Sequence, residues 1–133
     1  MTSPFAQHGA FSWFELMTSD LDGAKPFYKT LFGWELTDRP MPNMPDATYT
    51  VAKLGEQEAG GLMTLPSQMT GAPPCWMVYI TVQDVDVSAQ QAQELGGKVL
   101  MPPTDIPDVG RFAVIQDPQG AAFNIMTYLP MAS

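Results

Sequence analysis

Two apolar runs open the two halves of the chain, Phe11 to Met17 (FSWFELM) and Trp76 to Val82 (WMVYITV). Both are rich in aromatic, β-branched or long apolar residues, the make-up of a strand buried on one or both faces. Each then meets an acidic segment, Ser19-Asp20-Leu21-Asp22 or Gln83-Asp84-Val85-Asp86. Carboxylates there cap free amides and suit the positive end of a helix. In the first predicted helix Ala24, Phe27, Tyr28 and Leu31 recur at i, i+3, i+4 and i+7, one apolar stripe. Pro26 is tolerable only in a first turn, which predicts a start near Asp22 or Gly23. Ala89, Ala92 and Leu95 form a thinner stripe in the second helix. Gly33 and Gly96-Gly97 supply the left-handed residue that closes a helix.

Further strand-like runs follow each helix. They are Trp34 to Leu36, Ala47 to Ala52 and Gly60 to Met63 in the first half, and Lys98 to Leu100, Gly110 to Ile115 and Ala121 to Met126 in the second. The proline-rich segments 40–45 and 102–107 read as loops, and Asp117-Pro118-Gln119-Gly120 as a β-turn. The two halves repeat one pattern. At an offset of 64, Asp20 falls on Asp84, Leu31 on Leu95 and Gly33 on Gly97. Later the offset becomes 63, pairing Tyr49 with Phe112, Val51 with Val114 and Met63-Thr64 with Met126-Thr127. The expectation is a single domain over 1–133 with two βαβββ modules, 9–66 and 75–130, joined by a linker at 67–74.

Composition narrows what such a domain does. With 133 residues, 45% of them hydrophobic and 15% charged, the chain carries material for one packed core. No stretch approaches the roughly 20 apolar residues of a membrane span, so no membrane partner is expected. The first residues have no basic-then-apolar pattern of a secretory signal. Six Lys and Arg against a net charge of −8 argue against nucleic acid. The same charge permits a cationic small molecule and keeps the protein soluble. The lone Cys75 fits a reducing cytoplasm, and no histidine lies near it in sequence to activate it.

Asp20-Leu21-Asp22, Phe27-Tyr28 and Leu31-Phe32-Gly33-Trp34 in the first module, with Asp117-Pro118-Gln119-Gly120-Ala121 and Phe123 in the second, form a recognisable set. On these motifs the chain, from about Gly9 to Leu129, resembles the vicinal oxygen chelate superfamily of glyoxalases, bleomycin-resistance proteins and extradiol dioxygenases. The resemblance implies an α+β fold in which two tandem modules pair curved mixed sheets around a cleft where chemistry occurs. It also carries the expectation of a homodimer. Metal-dependent members place a ligand on the first strand and a carboxylate on the last strand of each module. Carried over by spacing from the helix-start and turn aspartates, these positions are Trp13, Gly61, Met77 and Asn124. An indole, a bare backbone, a thioether and a carboxamide do not make a site for a divalent ion. No metal and no other cofactor is expected, and His8, the only histidine, sits on a terminal arm.

Strand alternation then lists a face: Trp13 brings Glu15 and Met17, Met77 brings Tyr79 and Thr81, Asn124 brings Met126, and Gly61 brings Met63. Trp13, Glu15, Met63, Met77, Tyr79, Asn124 and Met126 are the candidate ligand-binding residues, an apolar and aromatic set with a few polar tips. The same residues can equally fill space left by an absent metal. Glu15, if buried among apolar groups, is suited to proton transfer, and Tyr79 to orienting a ligand oxygen. The competing role for Glu15 is an ion pair with Arg111 or a lysine. Three functions stay open: metal-free binding of a small planar or cationic molecule, a lyase, isomerase or oxygenase using Glu15 or Tyr79, and a protein-interaction module.

Overall fold

The structure, a computed structural model, describes residues 3–41, 44–65 and 73–129. The expected linker at 67–74 lies outside the described residues except for Pro73 and Pro74. The expected module ends at Pro66 and Pro130 lie outside them too. Contacts divide the chain into two compact units, Trp13–Met77 and a second that joins the N-terminal arm to the chain from Val78 onward.

The first unit is β1 (Phe11–Thr18), α1 (Leu21–Phe32), β2 (Glu35–Met41), β3 (Met44–Leu54) and β4 (Gln57–Thr64). Its strands lie in the order β2-β3-β4-β1, with β1 parallel to β4 and the other pairs antiparallel. The Asp20 carboxylate caps α1 by accepting from the Gly23 amide at 3.0 Å. Gly33, at φ 73°, ends the helix with its N–H on the Lys29 carbonyl. The sheet face under α1 centres on Leu16, Ala52 and Leu62, against which Leu21, Ala24, Tyr28, Trp34 and Leu36 pack.

The apolar stripe of α1 is therefore only half used. Ala24 and Tyr28 turn inward, but Phe27 is 60% and Leu31 59% exposed. Leu95 of the second helix is likewise exposed. Sequence periodicity fixes which residues share a helix face, not how wide a strip the sheet covers.

Two proline expectations also change. The helix starts at Leu21, which puts Pro26 beyond the first turn, where it removes one backbone donor from the helix. Pro26 is solvent-exposed. Pro26→Ala should raise stability by about 2 kcal/mol, read as a higher urea midpoint at unchanged m-value. The segments read as proline loops extend strands instead: β2 continues through Pro40, and β6 through Pro102 and Pro103. Both are edge strands, where an imide with no N–H can face outward, and both carry register shifts there. On β2, the Thr50 hydroxyl and the Lys25 ammonium hold the Asp38 carboxyl below its usual range.

The second unit repeats the plan, starting within β5 (Cys75–Thr81) at Val78 and continuing with α2 (Val85–Glu94), β6 (Lys98–Ile106), β7 (Gly110–Gln116) and β8 (Ala122–Tyr128). The strand order is β5-β8-β7-β6, with β5 parallel to β8. Asp84 caps α2 through the Val87 amide, and Val85 and Ala89 pack on Val82, Ala113, Ile115 and Ile125. Asp117 organises its turn by accepting from the Gln119 and Ala121 amides at 2.9 and 3.0 Å. The arm is tied to this unit, with the Gly9 amide on the Thr81 carbonyl and the Thr81 amide on the Ala10 carbonyl.

Strand register makes the internal repeat physical. Glu15 faces Gly61 across β1 and β4, and Tyr79 faces Asn124 across β5 and β8. Val51 opposite Gly61 is matched by Val114 opposite Asn124. These are the partners that the offsets of 64 and 63 assign to one another.

Candidate functional site

In each unit the helix covers one face of the sheet and leaves the other without a helix. On the helix-free face of the first unit stand Trp13, Glu15 and Met17 of β1, Gly61 and Met63 of β4, and Tyr49 and Val51 of β3. Three of these are joined. The Trp13 indole Nε1 lies 2.7 Å from the Tyr49 hydroxyl, which lies 2.8 Å from Glu15 Oε1. An indole N–H can only donate, so the phenol oxygen accepts from Trp13 and directs its proton to Glu15. Glu15 is only 5% exposed, while Trp13, Tyr49 and Met63 are half-buried.

Gly61 makes this line of hydrogen bonds possible. A Cβ built at Gly61 would overlap the ring and hydroxyl of Tyr49. The phenol thus lies over the backbone at the place where the resemblance puts a metal-binding carboxylate. Tyr49 is the functional candidate that the sequence reading missed. It entered only as a repeat match to Phe112, although alternation along β3 puts it on the face of Val51, opposite the bare Gly61.

Tyr79, Asn124 and Met126 fall on the corresponding face of the second unit, where Tyr79 and Asn124 are register partners and all three are buried; Met77, also buried, is the last residue of the first unit. Ser12 lies beside them, 2.8 Å from the Tyr128 hydroxyl and donating to the Tyr79 carbonyl at 3.3 Å. Arg111, weighed from the sequence as one partner for Glu15, has two aspartate partners of its own. It is held by Asp86 at 2.8 Å and Asp105 at 2.9 Å, which push its pKa up and lower that of Asp86. The reason is register: Arg111 is on the helix side of β7, within reach of the first turn of α2. His8 is exposed and accepts from the Gln83 amide through Nδ1 at 3.0 Å.

The donor set does not fit a resident metal. The Trp13 nitrogen is committed as a hydrogen-bond donor, Gly61 has no side chain, and Met77 offers a soft thioether. Among the described residues no three His, Cys, Asp or Glu side chains gather as a metal site.

A family model described as Glyoxalase/Bleomycin resistance protein/Dioxygenase superfamily matches residues 10–125. The chain belongs to that superfamily. A superfamily relative from Mycobacterium bovis, named "Putative glyoxylase CFP32", is 43% identical over 122 residues, covering 92% of this chain and 45% of the relative. The "Anthracycline biosynthesis protein DnrV" of Streptomyces peucetius is 32% identical over 127 residues, 88% of this chain and 46% of that protein. The chain thus spans less than half the length of these curated relatives. Among solved structures, a hypothetical protein from Bacillus halodurans superposes with a TM-score of 0.69 at 13% identity, over 96% of this chain and 99% of that one. Methylmalonyl-CoA epimerase from Mycobacterium tuberculosis gives 0.65 at 15% identity, over 98% and 93%. At such identities these likenesses show the superfamily fold. Among the described residues no helix is long and apolar enough to cross a membrane.

Proposed function

We propose that the chain binds a small planar organic molecule, without a metal, on the helix-free face of its first unit. The observation that carries this reading is the Trp13–Tyr49–Glu15 hydrogen-bonded line lying over Gly61. It offers an aromatic surface, a phenol and a carboxylate among methionines, the mixture by which small-molecule sites combine apolar contact with a few oriented polar groups. The net charge of −8 favours a cationic ligand. The name of the Streptomyces relative supports a fused-ring compound as the first probe. On this reading Tyr79, Asn124 and Met126 form a second candidate face, in the other unit, and the protein works in the cytoplasm.

Titration with an amino-sugar-bearing anthracycline should quench tryptophan fluorescence saturably. In Trp13→Phe most of the quenching should vanish, because Trp34 and Trp76 lie on the helix side of the sheet. In Tyr49→Phe the Kd should rise about tenfold, roughly 1.4 kcal/mol. Quenching that survives unchanged in Trp13→Phe contradicts the site.

A second reading uses the same residues. The Tyr49 phenol on the Glu15 carboxylate is a pair able to move a proton, which is the chemistry of an isomerase or lyase. Tyr79 is the alternative acid or base in the second unit. Exchange of an acidic C–H proton of a bound carbonyl compound with solvent deuterium would follow, and Glu15→Gln would abolish it.

A further inference from the structure

The N-terminal arm reaches the helix-free face of the second unit through two side chains. Alternation puts Thr81 of β5 and Tyr128 of β8 on the face that carries Tyr79 and Asn124. The Thr81 hydroxyl donates to the Pro4 carbonyl at 2.7 Å. The Phe5 ring stands perpendicular to the Tyr128 ring, with centroids 5.0 Å apart. Thr81 is the register partner of Met126, two residues before Tyr128, so the Pro4–Phe5 step bridges the C-terminal ends of β5 and β8.

Both contact groups are particular to this unit. The repeat places Met17 where β5 has Thr81, and Leu65 where β8 has Tyr128. An arm that only covered apolar surface would need neither a hydroxyl nor a phenol. What Pro4 and Phe5 present is an amide carbonyl and an aromatic ring on a short linker. The face answers with a hydroxyl donor and an aromatic partner, the chemistry by which such a group is held.

The arm is also detachable. Each residue from Ser3 to Gly9 is exposed, and none is in a helix or strand. A turn closed by the Ala6 amide on the Ser3 carbonyl keeps Pro4 and Phe5 together as one piece. Segments with so few buried contacts open at the low end of local stability. Gly9, at φ 90° and with open space where a Cβ would stand, supplies a pivot ahead of β1.

We infer that this end of the second face is a binding site for a small amide bearing an aromatic ring, and that Pro4 and Phe5 occupy it as an internal competitor. The inference does not rest on the ligand reading of the first unit, because every residue it uses belongs to the second.

Fluorine NMR of N-acetyl-p-fluorophenylalanine amide, titrated with the full chain, tests it. The acetyl carbonyl and ring of this probe copy the Pro4 carbonyl and the Phe5 ring. Phe5→Ala vacates the place of the ring, and the probe should bind this variant about tenfold more tightly than the original chain, where the arm leaves only a fraction of molecules open. In the Phe5→Ala background, Thr81→Val and, separately, Tyr128→Leu should each weaken binding severalfold with the circular dichroism spectrum unchanged. Binding no tighter in Phe5→Ala than in the original chain, including none in either, overturns the inference. So does tight binding that both second substitutions leave intact. Loss of anthracycline quenching with the Phe5→Ala effect retained would strike the first-unit reading alone.

Discussion

Gly61→Ala is expected to drive the Tyr49 ring off the backbone of β4 and to dissolve the Trp13–Tyr49–Glu15 line. β4 is paired with β1 on one side and β3 on the other, so the strand has little freedom to retreat. The new methyl group overlaps the ring itself and not only its hydroxyl, and the side chain must rotate away. Glu15 then keeps its buried place but loses the phenol donor. Overpacking costs about 1–3 kcal/mol, and removing a partner from a buried carboxylate adds to that. The affinity for the anthracycline probe should fall about tenfold or more. A double-mutant cycle isolates the cause: once Tyr49 is alanine, adding Gly61→Ala should cost nothing further. Equal losses in both backgrounds would show that Gly61 matters for some other reason.

The second large effect lies under α1. Leu62 is fully buried and packs with Leu16 and Ala52 beneath Tyr28 and Trp34. Leu62→Ala should cost about 2–5 kcal/mol, measured by urea unfolding followed by circular dichroism. Its neighbours on the exterior are large rings with free outer edges, so partial collapse into the gap favours the lower half of that range. The cost should not spread to the ligand face directly, because Leu62 and Gly61 point to opposite sides of β4. A Leu62→Ala protein below its unfolding transition should therefore still bind the probe. Loss of less than 1 kcal/mol would mean that α1 packs more loosely than the contacts indicate.

The aspartate caps, the closing Gly33 and the Asp117 turn were legible in the sequence because each depends on local backbone chemistry. The correspondence between the halves was legible too: the offsets match Glu15 to Tyr79 and Gly61 to Asn124, and the structure adds that Glu15 stands opposite Gly61 and Tyr79 opposite Asn124. What depended on width or on edges was not. Phe27 and Leu31 share a helix face with Tyr28, yet the sheet beneath is too narrow to cover them. Pro40, Pro102 and Pro103 look like strand breakers but stand on edge strands, next to register shifts in the pairing.

The site was half legible. Alternation placed Trp13 and Glu15 on one face and identified Gly61 as a position without a side chain. It did not show that the vacancy is filled by Tyr49 from the neighbouring strand, because that requires knowing which strand lies beside β4. The aspartate partners of Arg111 were not legible for a similar reason: they depend on which face of β7 it occupies.

The most direct test is the anthracycline titration of the chain after exhaustive chelation, repeated with zinc, nickel, iron(II) or manganese restored. Saturable Trp13 quenching with the same Kd in every case is the predicted result, since the indole, phenol and carboxylate of this face need no ion to hold them. Binding that is absent from the chelated protein and returns with one of these metals would contradict the account.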